Sequence, residues 1–312
     1  TRPGFIRLAA QLPWLRWRHR IDLLHTQYRL PPVPLGACAC TIHDVLFESH
    51  PQFFPAAFVW QSRLTCRSAA RRADVLLTVS RFSRAEIHRL YRVPLDGVDV
   101  TANGVDRSRF RPGPDGAETV RSLGLLPGNY MLTVGRLEPR KNHLTLLDAH
   151  SRLPDAPPLV IVGQRDFGYT ALLDRLAGPL ASGRVHLIDR VDDAALPAVI
   201  RHARLFVYPA HAEGFGMPVL EAMASGVPVI TSTTTSLPEV AGDAAYLVPP
   251  DSADRWAQAL QTVLADAALQ DRMRNKGLRQ ASLYTWEQSA EVLVDRLRAW
   301  GAAHCGIQPV LS

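Results

Sequence analysis

The chain has 312 residues, 47% of them apolar and 21% charged, which excludes a disordered polymer, a collagen-like fibre and a low-complexity chain. That length holds two ordinary domains or one large one. The formal net charge of +6 suits anionic partners, yet the charges are scattered: no basic run marks a nucleic-acid arm, and no apolar run reaches the ~18–20 residues that span a bilayer.

Residues 1–20, TRPGFIRLAAQLPWLRWRHR, mix arginines with Trp14, Leu15 and Trp17. Two readings stay open, an amphipathic helix of a domain or a segment lying on an anionic membrane surface. IDLLHT (21–26) and ACACTIH (37–43) read as short buried strands, with Cys38 and Cys40 on one face of the second. With Cys66 and Cys305 they make four cysteines without CxxC or Cys/His metal spacing, which predicts core thiols in a reducing compartment. A helix at 55–72, a strand at 74–80, a helix at 81–91 and a strand at 98–103 follow. Short apolar runs alternating with helical stretches predict a parallel sheet. Residues 107–128, with RPGPDG at 111–116, are rich in Pro and Gly and read as a linker.

The same alternation then restarts. Strands are predicted at 130–135, 158–163, 184–188, 205–209, 227–231 and 244–250. Helices are predicted from about 143, at 169–181, at 192–203 and from 217, with 252–266, 268–281 and 286–301 closing the chain. Six strands suffice for a doubly wound domain, whereas the first part offers about four.

In such sheets ligands bind at the carboxyl ends of the strands, and three clusters lie there. Gly135-Arg136-Leu137-Glu138-Pro139-Arg140-Lys141-Asn142 follows a strand, and Arg136 and Lys141 are placed to converge on one anionic group, with Gly135 allowing close backbone approach. Glu213-Gly214-Phe215-Gly216-Met217-Pro218-Val219-Leu220-Glu221 puts Pro218 at a helix start after a glycine loop, so the amides of 217–220 would form an anion site. Glu213 and Glu221 beside it suit the hydroxyls of a sugar or ribose. Thr41-Ile42-His43-Asp44 ends a strand of the first part, which sets His43 between a packed core histidine and a site residue.

GRLEPRKN (135–142), EGFGMPVLEAMASGVPVI (213–230) and SLPEVAGDAAYLVPPDSAD (236–254) resemble the C-terminal domain of retaining GT-B glycosyltransferases, group 1 (family four). TIHDVLFESHPQFFP (41–55), TVSRFSRAEI (78–87) and NGVDRSRF (103–110) are similar to the later part of that family's N-terminal domain. The likeness covers about 41 to 301 and is nearest to bacterial members that build polysaccharides, often mannosyltransferases.

The resemblance implies an α/β GT-B fold, two Rossmann-like doubly wound domains facing a cleft, with the first incomplete. Expected boundaries are 1–110 for the first domain, 111–128 for the linker and 129–285 for the nucleotide-sugar domain. A helix and tail at 286–312 would follow, able to pack back on the first domain. Arg136 and Lys141 would neutralise the donor diphosphate, Glu221 would hold the ribose and Glu213 the transferred sugar. Gly214 would line the donor, and Phe215, Gly216 and Met217 would present backbone amides to it. His43 would reach the donor sugar, and the base would sit near Arg190 and Val191, where Asp189 replaces a common glycine.

The expected reaction is transfer with retention by front-face attack, from GDP-mannose or another nucleotide-diphosphate sugar to a glycan or lipid-linked acceptor. The setting would be cytoplasmic, with a peripheral contact at the inner membrane open to the N-terminal segment. No cofactor or metal is expected, since no DxD motif occurs and Arg, Lys and a helix terminus can balance the leaving group. Asp192 and Asp193 read as capping residues. The family's first strand and its Gly-rich loop are not recognisable before residue 21. The alternative is therefore a non-catalytic nucleotide-sugar-binding fragment. An epimerase or a phosphorylase is disfavoured, the latter because Lys276 sits in a polar helix.

Overall fold

Runs of four or five apolar and β-branched residues, too short for helices, form parallel strands throughout the chain. The computed structural model describes residues 6–33, 36–166 and 168–305. It divides into two compact units, one joining the chain up to Asn103 with the chain from Glu287, the other Gly104–Trp286.

In the first unit a π-helical turn at Arg7–Gln11 leads into α1 (Leu12–His19). Strands β1 (Leu23–Gln27), β2 (Ala37–Thr41), β3 (Val75–Thr78) and β4 (Asp99–Val100) pair in parallel in that order. Between them run α2 (Leu46–Ser49), α3 (Ala56–Arg72) and α4 (Arg81–Tyr91), the last capped by Ser80, whose hydroxyl accepts from the Ser83 amide. Alternation along β2 sends Cys40 into a core with Cys66, Ile87 and Tyr91. Ala39 faces the other way with Val75 and Leu77, and Leu293, Leu297 and Trp300 of the C-terminal helix (Trp286–Cys305) cover them. Cys38, Cys40 and Cys66 are buried free thiols, as expected; the side chain of Cys305 lies outside the described residues.

In the second unit α5 (Ala117–Ser122) precedes β5 (Met131–Val134), α6 (His143–Ser151), β6 (Leu159–Val162), α7 (Thr170–Ala181) and β7 (Val185–Ile188). Then come α8 (Leu196–Arg201), β8 (Leu205–Tyr208), α9 (Met217–Ala224), β9 (Val229–Ser232), α10 (Leu237–Ala241) and β10 (Tyr246–Val248). Helices α11 (Ala253–Ala265) and α12 (Ala267–Ser282) complete it. The six strands are parallel in the order β10-β9-β8-β5-β6-β7. This is the doubly wound order, and the chain reverses its direction of travel across the sheet between β5 and β8. Met131, Leu159, Ile161, Val207 and Ile230 pack against Trp256 and Leu260 of α11. The buried Trp256 indole donates to the Pro249 carbonyl at 3.0 Å, so its one polar atom is satisfied.

The six and four strands match the sequence expectation, but several boundaries move. The expected linker at 111–128 contains α5, and Val120 is fully buried, so this stretch is part of the second unit. The units divide at 103/104 rather than at 110, because Val105 donates to the Tyr284 carbonyl at 3.1 Å and Phe110 is buried. The strand expected at 98–103 pairs only at Asp99 and Val100. Asp192 and Asp193 do not cap with their side chains: α8 begins later, at Leu196, and what the Ala195 and Leu196 amides meet is the main-chain carbonyl of Asp192.

Candidate functional site

The reversal between β5 and β8 leaves a crevice at their carboxyl ends, where neighbouring loops depart to opposite sides of the sheet. The loop after β5 runs from Gly135 to Asn142 and the loop after β8 from Pro209 to Gly216. Asn142 joins them. Its amide donates to the Pro209 carbonyl at 3.0 Å and to that of Pro250 at 2.8 Å, while His211 donates to the Arg140 carbonyl at 2.8 Å. Backbones crowd here too. A Cβ on Gly163, just beyond β6, would stand 1.9 Å from the Gly135 carbonyl oxygen. Over Gly135 itself lies the alkyl stem of Lys141.

Lys141 and Glu213 meet in this crevice. The Lys141 ammonium donates to Oε1 of Glu213 and, at 2.8 Å, to the Tyr208 hydroxyl, which in turn donates to the same Oε1 at 2.8 Å. Arg140 approaches Oε1 at 3.0 Å and pairs with Glu138 at 2.6 Å. Burial would push the Glu213 carboxyl up, but Lys141 and Arg140 outweigh it and hold it below the ordinary carboxylate value. Burial, reinforced by Glu213, pushes the Tyr208 phenol far up, so it stays a neutral donor. Every contact to Glu213's carboxylate falls on Oε1. Among the described residues Oε2 has no partner, and two of the three ammonium hydrogens of Lys141 are used. The arrangement offers one acceptor and one cationic donor to a ligand.

The loop beyond Glu213 is pinned from α10. Ser236 donates to the Glu213 and Phe215 carbonyls at 2.8 and 2.9 Å, and the Glu213 amide donates to Thr235 at 2.9 Å. Thr235 holds φ at +56°, a strained setting for a β-branched residue. Phe215 turns inward against Tyr284, ring centroids 5.6 Å apart, and Gly214 is buried beside it. Gly216 caps α9 at φ +106°, a conformation only glycine adopts readily. Pro218 takes the second helical position, after Met217. The four-amide anion site expected at 217–220 is not formed: Pro218 has no N–H, and the Val219 and Leu220 amides point at the Gly216 carbonyl at 3.0 and 3.4 Å. The amides of Phe215, Gly216 and Met217 remain, with no partner among the described residues.

Arg136 and Lys141 do not converge. Arg136 is 71% exposed and pairs with Asp166 at 2.9 Å, whereas Lys141 is turned inward. Glu221, half-buried on α9, has no side-chain partner among the described residues, and burial pushes its carboxyl up to about 7 despite the opposing pull of Arg109. Arg190 is exposed and Val191 half-buried just past β7, the edge strand.

His43 belongs to the first unit and follows β2. Its ring tilts against Tyr28 with centroids 5.4 Å apart, and the Tyr28 hydroxyl reaches Asp44 at 3.4 Å. Burial lowers the His43 pKa while Asp44 works against it, which favours the neutral imidazole. His25 on β1 bonds Thr41 at 2.8 Å, also at the carboxyl edge.

Sequence reasoning places Arg140 and Asn142 in the first cluster without a role, and gives none to Tyr208, Thr235 or Ser236. Ser236 lies in a quoted motif, but nothing in that motif assigns it to the 213–215 carbonyls. Lys276 pairs with Asp243 at 2.7 Å on the surface, away from any cofactor role.

Residues 119–280 match the family "Glycosyl transferases group 1" and residues 2–109 match "Glycosyltransferase Family 4". O-antigen chain mannosyltransferase B of Escherichia coli is 33% identical over 261 residues, covering 82% of this chain and 68% of its own. D-inositol 3-phosphate glycosyltransferase of Nocardia farcinica is 30% identical over 308 residues, covering 94% of this chain and 64% of its own. The chain thus spans about two thirds of the length of these relatives. Among solved structures, Anabaena Alr3699/HepE in complex with UDP-glucose superposes with a TM-score of 0.77 at 20% identity, covering 95% of this chain and 85% of that one.

Proposed function

The chain belongs to the group 1 glycosyl transferases and has the α/β fold of GT-B enzymes; from this we propose that it transfers a hexose, mannose in preference, from a nucleotide-diphosphate sugar to a glycan or lipid-linked acceptor. The observation that carries the reading is the Lys141–Glu213 pair at the β5/β8 reversal, with Oε2 of Glu213 and one ammonium hydrogen of Lys141 left for a ligand. The E. coli relative, a mannosyltransferase of O-antigen chains, supports the sugar and the acceptor class, and the UDP-glucose in the Anabaena structure supports a nucleotide-sugar donor.

In this reading the acceptor oxygen bonds to C1 of the sugar as the C1–phosphate oxygen bond breaks on the same face. The acceptor proton passes to the departing phosphate. Negative charge grows on the diphosphate; the Phe215–Met217 amides stand ready for it, and Lys141 and Arg136 would meet it by turning from Glu213 and Asp166, without a divalent ion. Glu213 would accept from sugar hydroxyls through Oε2 and Glu221 from the ribose. Gly135 and Gly214 would leave room along the diphosphate, and Arg190 and Val191 would flank the base. His43 has the proposed role of a hydrogen bond to the donor sugar.

Incubation with a panel of GDP- and UDP-sugars and a lipid-linked or oligosaccharide acceptor, read by released nucleotide, tests the proposal. Product should form with the anomeric configuration of the donor, and activity should survive EDTA. Nucleotide binding without release would favour a non-catalytic binding role, and EDTA-sensitive activity restored by Mn²⁺ would overturn the metal-free mechanism. Arg136 supplies a second check. Its exposed ion pair contributes little to folding, so Arg136→Ala should change stability by under ~0.5 kcal/mol. Nucleotide-diphosphate binding should weaken by about 1.5–3 kcal/mol, the scale of a hydrogen bond to a charged group. Calorimetry that finds equal losses for nucleoside and nucleotide diphosphate would remove Arg136 from the phosphates.

No helix of the described residues is long and apolar enough to cross a membrane. Trp14 and Trp17 are 55% and 75% exposed on α1 beside the exposed Arg18, which supports a peripheral contact with an anionic membrane face.

A further inference from the structure

We propose that Tyr208 is a positioning residue for donor turnover: its hydroxyl fixes which oxygen of Glu213 faces the sugar and keeps that carboxylate paired when Lys141 turns to the diphosphate. The inference rests on the function proposed above and adds a residue to it. Tyr208 is the last residue of β8 and is fully buried, stacked at 6.1 Å on Phe206. Phenylalanine would fill nearly the same space at that strand end without carrying a hydroxyl into the interior. A buried hydroxyl is costly unless bonded, and this one has a bond on each side, accepting from Lys141 at 2.8 Å and donating to Glu213 at 2.8 Å.

The consequence appears when the donor enters. Lys141 holds its ammonium beyond the Tyr208 hydroxyl, 5.3 Å from the ring centroid, so a turn toward phosphate takes it off Oε1 and off that hydroxyl together. Without Tyr208, Oε1 of Glu213 would then rely on Arg140 alone, itself shared with Glu138. The carboxylate would turn to find a partner, and Oε2 would leave the direction that a sugar hydroxyl needs. Tyr208 holds it in place through the change of partners.

The test uses Tyr208→Phe in the full chain. The dissociation constants of GDP and UDP should stay within threefold, while kcat with the nucleotide sugar should fall at least tenfold. Equal loss of nucleotide binding and turnover, or an unchanged kcat, overturns the proposal and leaves Tyr208 as packing. A readout free of activity is the Glu213 carboxyl in ¹³C-glutamate-labelled protein. Lys141 and Arg140 face it from the β5 loop, with Glu138 beyond Arg140 and Tyr208 on β8, and removal of the hydroxyl should raise the pH at which it titrates. An unmoved titration overturns the proposal. If the unaltered protein turns over no nucleotide sugar, the proposed function falls, and the titration still decides the role of Tyr208.

Discussion

Lys141→Met should lower the free energy of unfolding by about 3 kcal/mol, the lower end for removing one partner of a buried ion pair, because Arg140 and the Tyr208 hydroxyl still face Glu213. Glu213 is 8% exposed, and its carboxylate is held charged by Lys141 and Arg140. Removing the ammonium takes away the first of these and leaves the Tyr208 hydroxyl without its donor. Replacing Glu213 by Gln in the same chain should return much of the loss, because the uncompensated charge is then gone. A double-mutant cycle in urea would give a coupling energy of several kcal/mol. The penalty should shrink as pH falls and Glu213, which burial pushes up once Lys141 is gone, takes up a proton at higher pH than in the parent. Additive single and double mutants would show that the pair contributes little to folding.

Glu221→Gln should do the opposite and stabilise the protein near neutrality while weakening its grip on nucleotide. Folding lifts the Glu221 carboxyl from an ordinary value of 4.5 to about 7, chiefly by burial. As pH rises from 4.5 toward 7, the unfolded chain releases this proton and the folded chain keeps it, so unfolding becomes progressively more favourable. The difference of about 2.5 pKa units corresponds to about 3 kcal/mol above pH 7. Glutamine cannot ionise, so the variant should lack this decline and melt higher at pH 8 than the parent. On the proposed reading the carboxylate accepts from ribose hydroxyls, so parental affinity for free nucleotide should strengthen as pH passes 7 and the variant should lose that rise. Identical pH–stability curves for the two proteins would show that Glu221 ionises freely.

These two residues also mark what the sequence can express. Glu213 and Glu221 stand out because glycines and a proline between them announce a loop and a helix start, and local rules suffice for both. The strands were readable for the same reason, since runs such as LVIV and LFVY are buried on both faces and carry no alternation to confuse. Side-chain direction was not readable. Arg136 and Lys141 share one loop, but a 3-10 turn at Pro139–Lys141 sends the lysine inward while Arg136 finds Asp166, which the chain places thirty positions on. Tyr208 looked like any strand-end aromatic, because its hydroxyl gains meaning only when the fold brings β5 and β8 together. Spacing alone offers four helix amides and does not reveal that Gly216 gives its own carbonyl to those of Val219 and Leu220. The 111–128 stretch reads as a linker by composition, and only the burial of Val120 and Phe110 assigns it to the second unit.

The return of the C-terminal helix to the first sheet sets an order of synthesis. During translation the chain emerges from its amino end, and domains generally fold as units as they appear. The first unit cannot close that way. Ala39, Val75 and Leu77 leave the ribosome before the second unit, and Leu293, Leu297 and Trp300, which cover them, follow it. The second unit, continuous from Gly104 to Trp286, completes its sequence in the interval. The unit that begins first is therefore the one that closes last, and its apolar sheet face stays uncovered while the whole second unit is made.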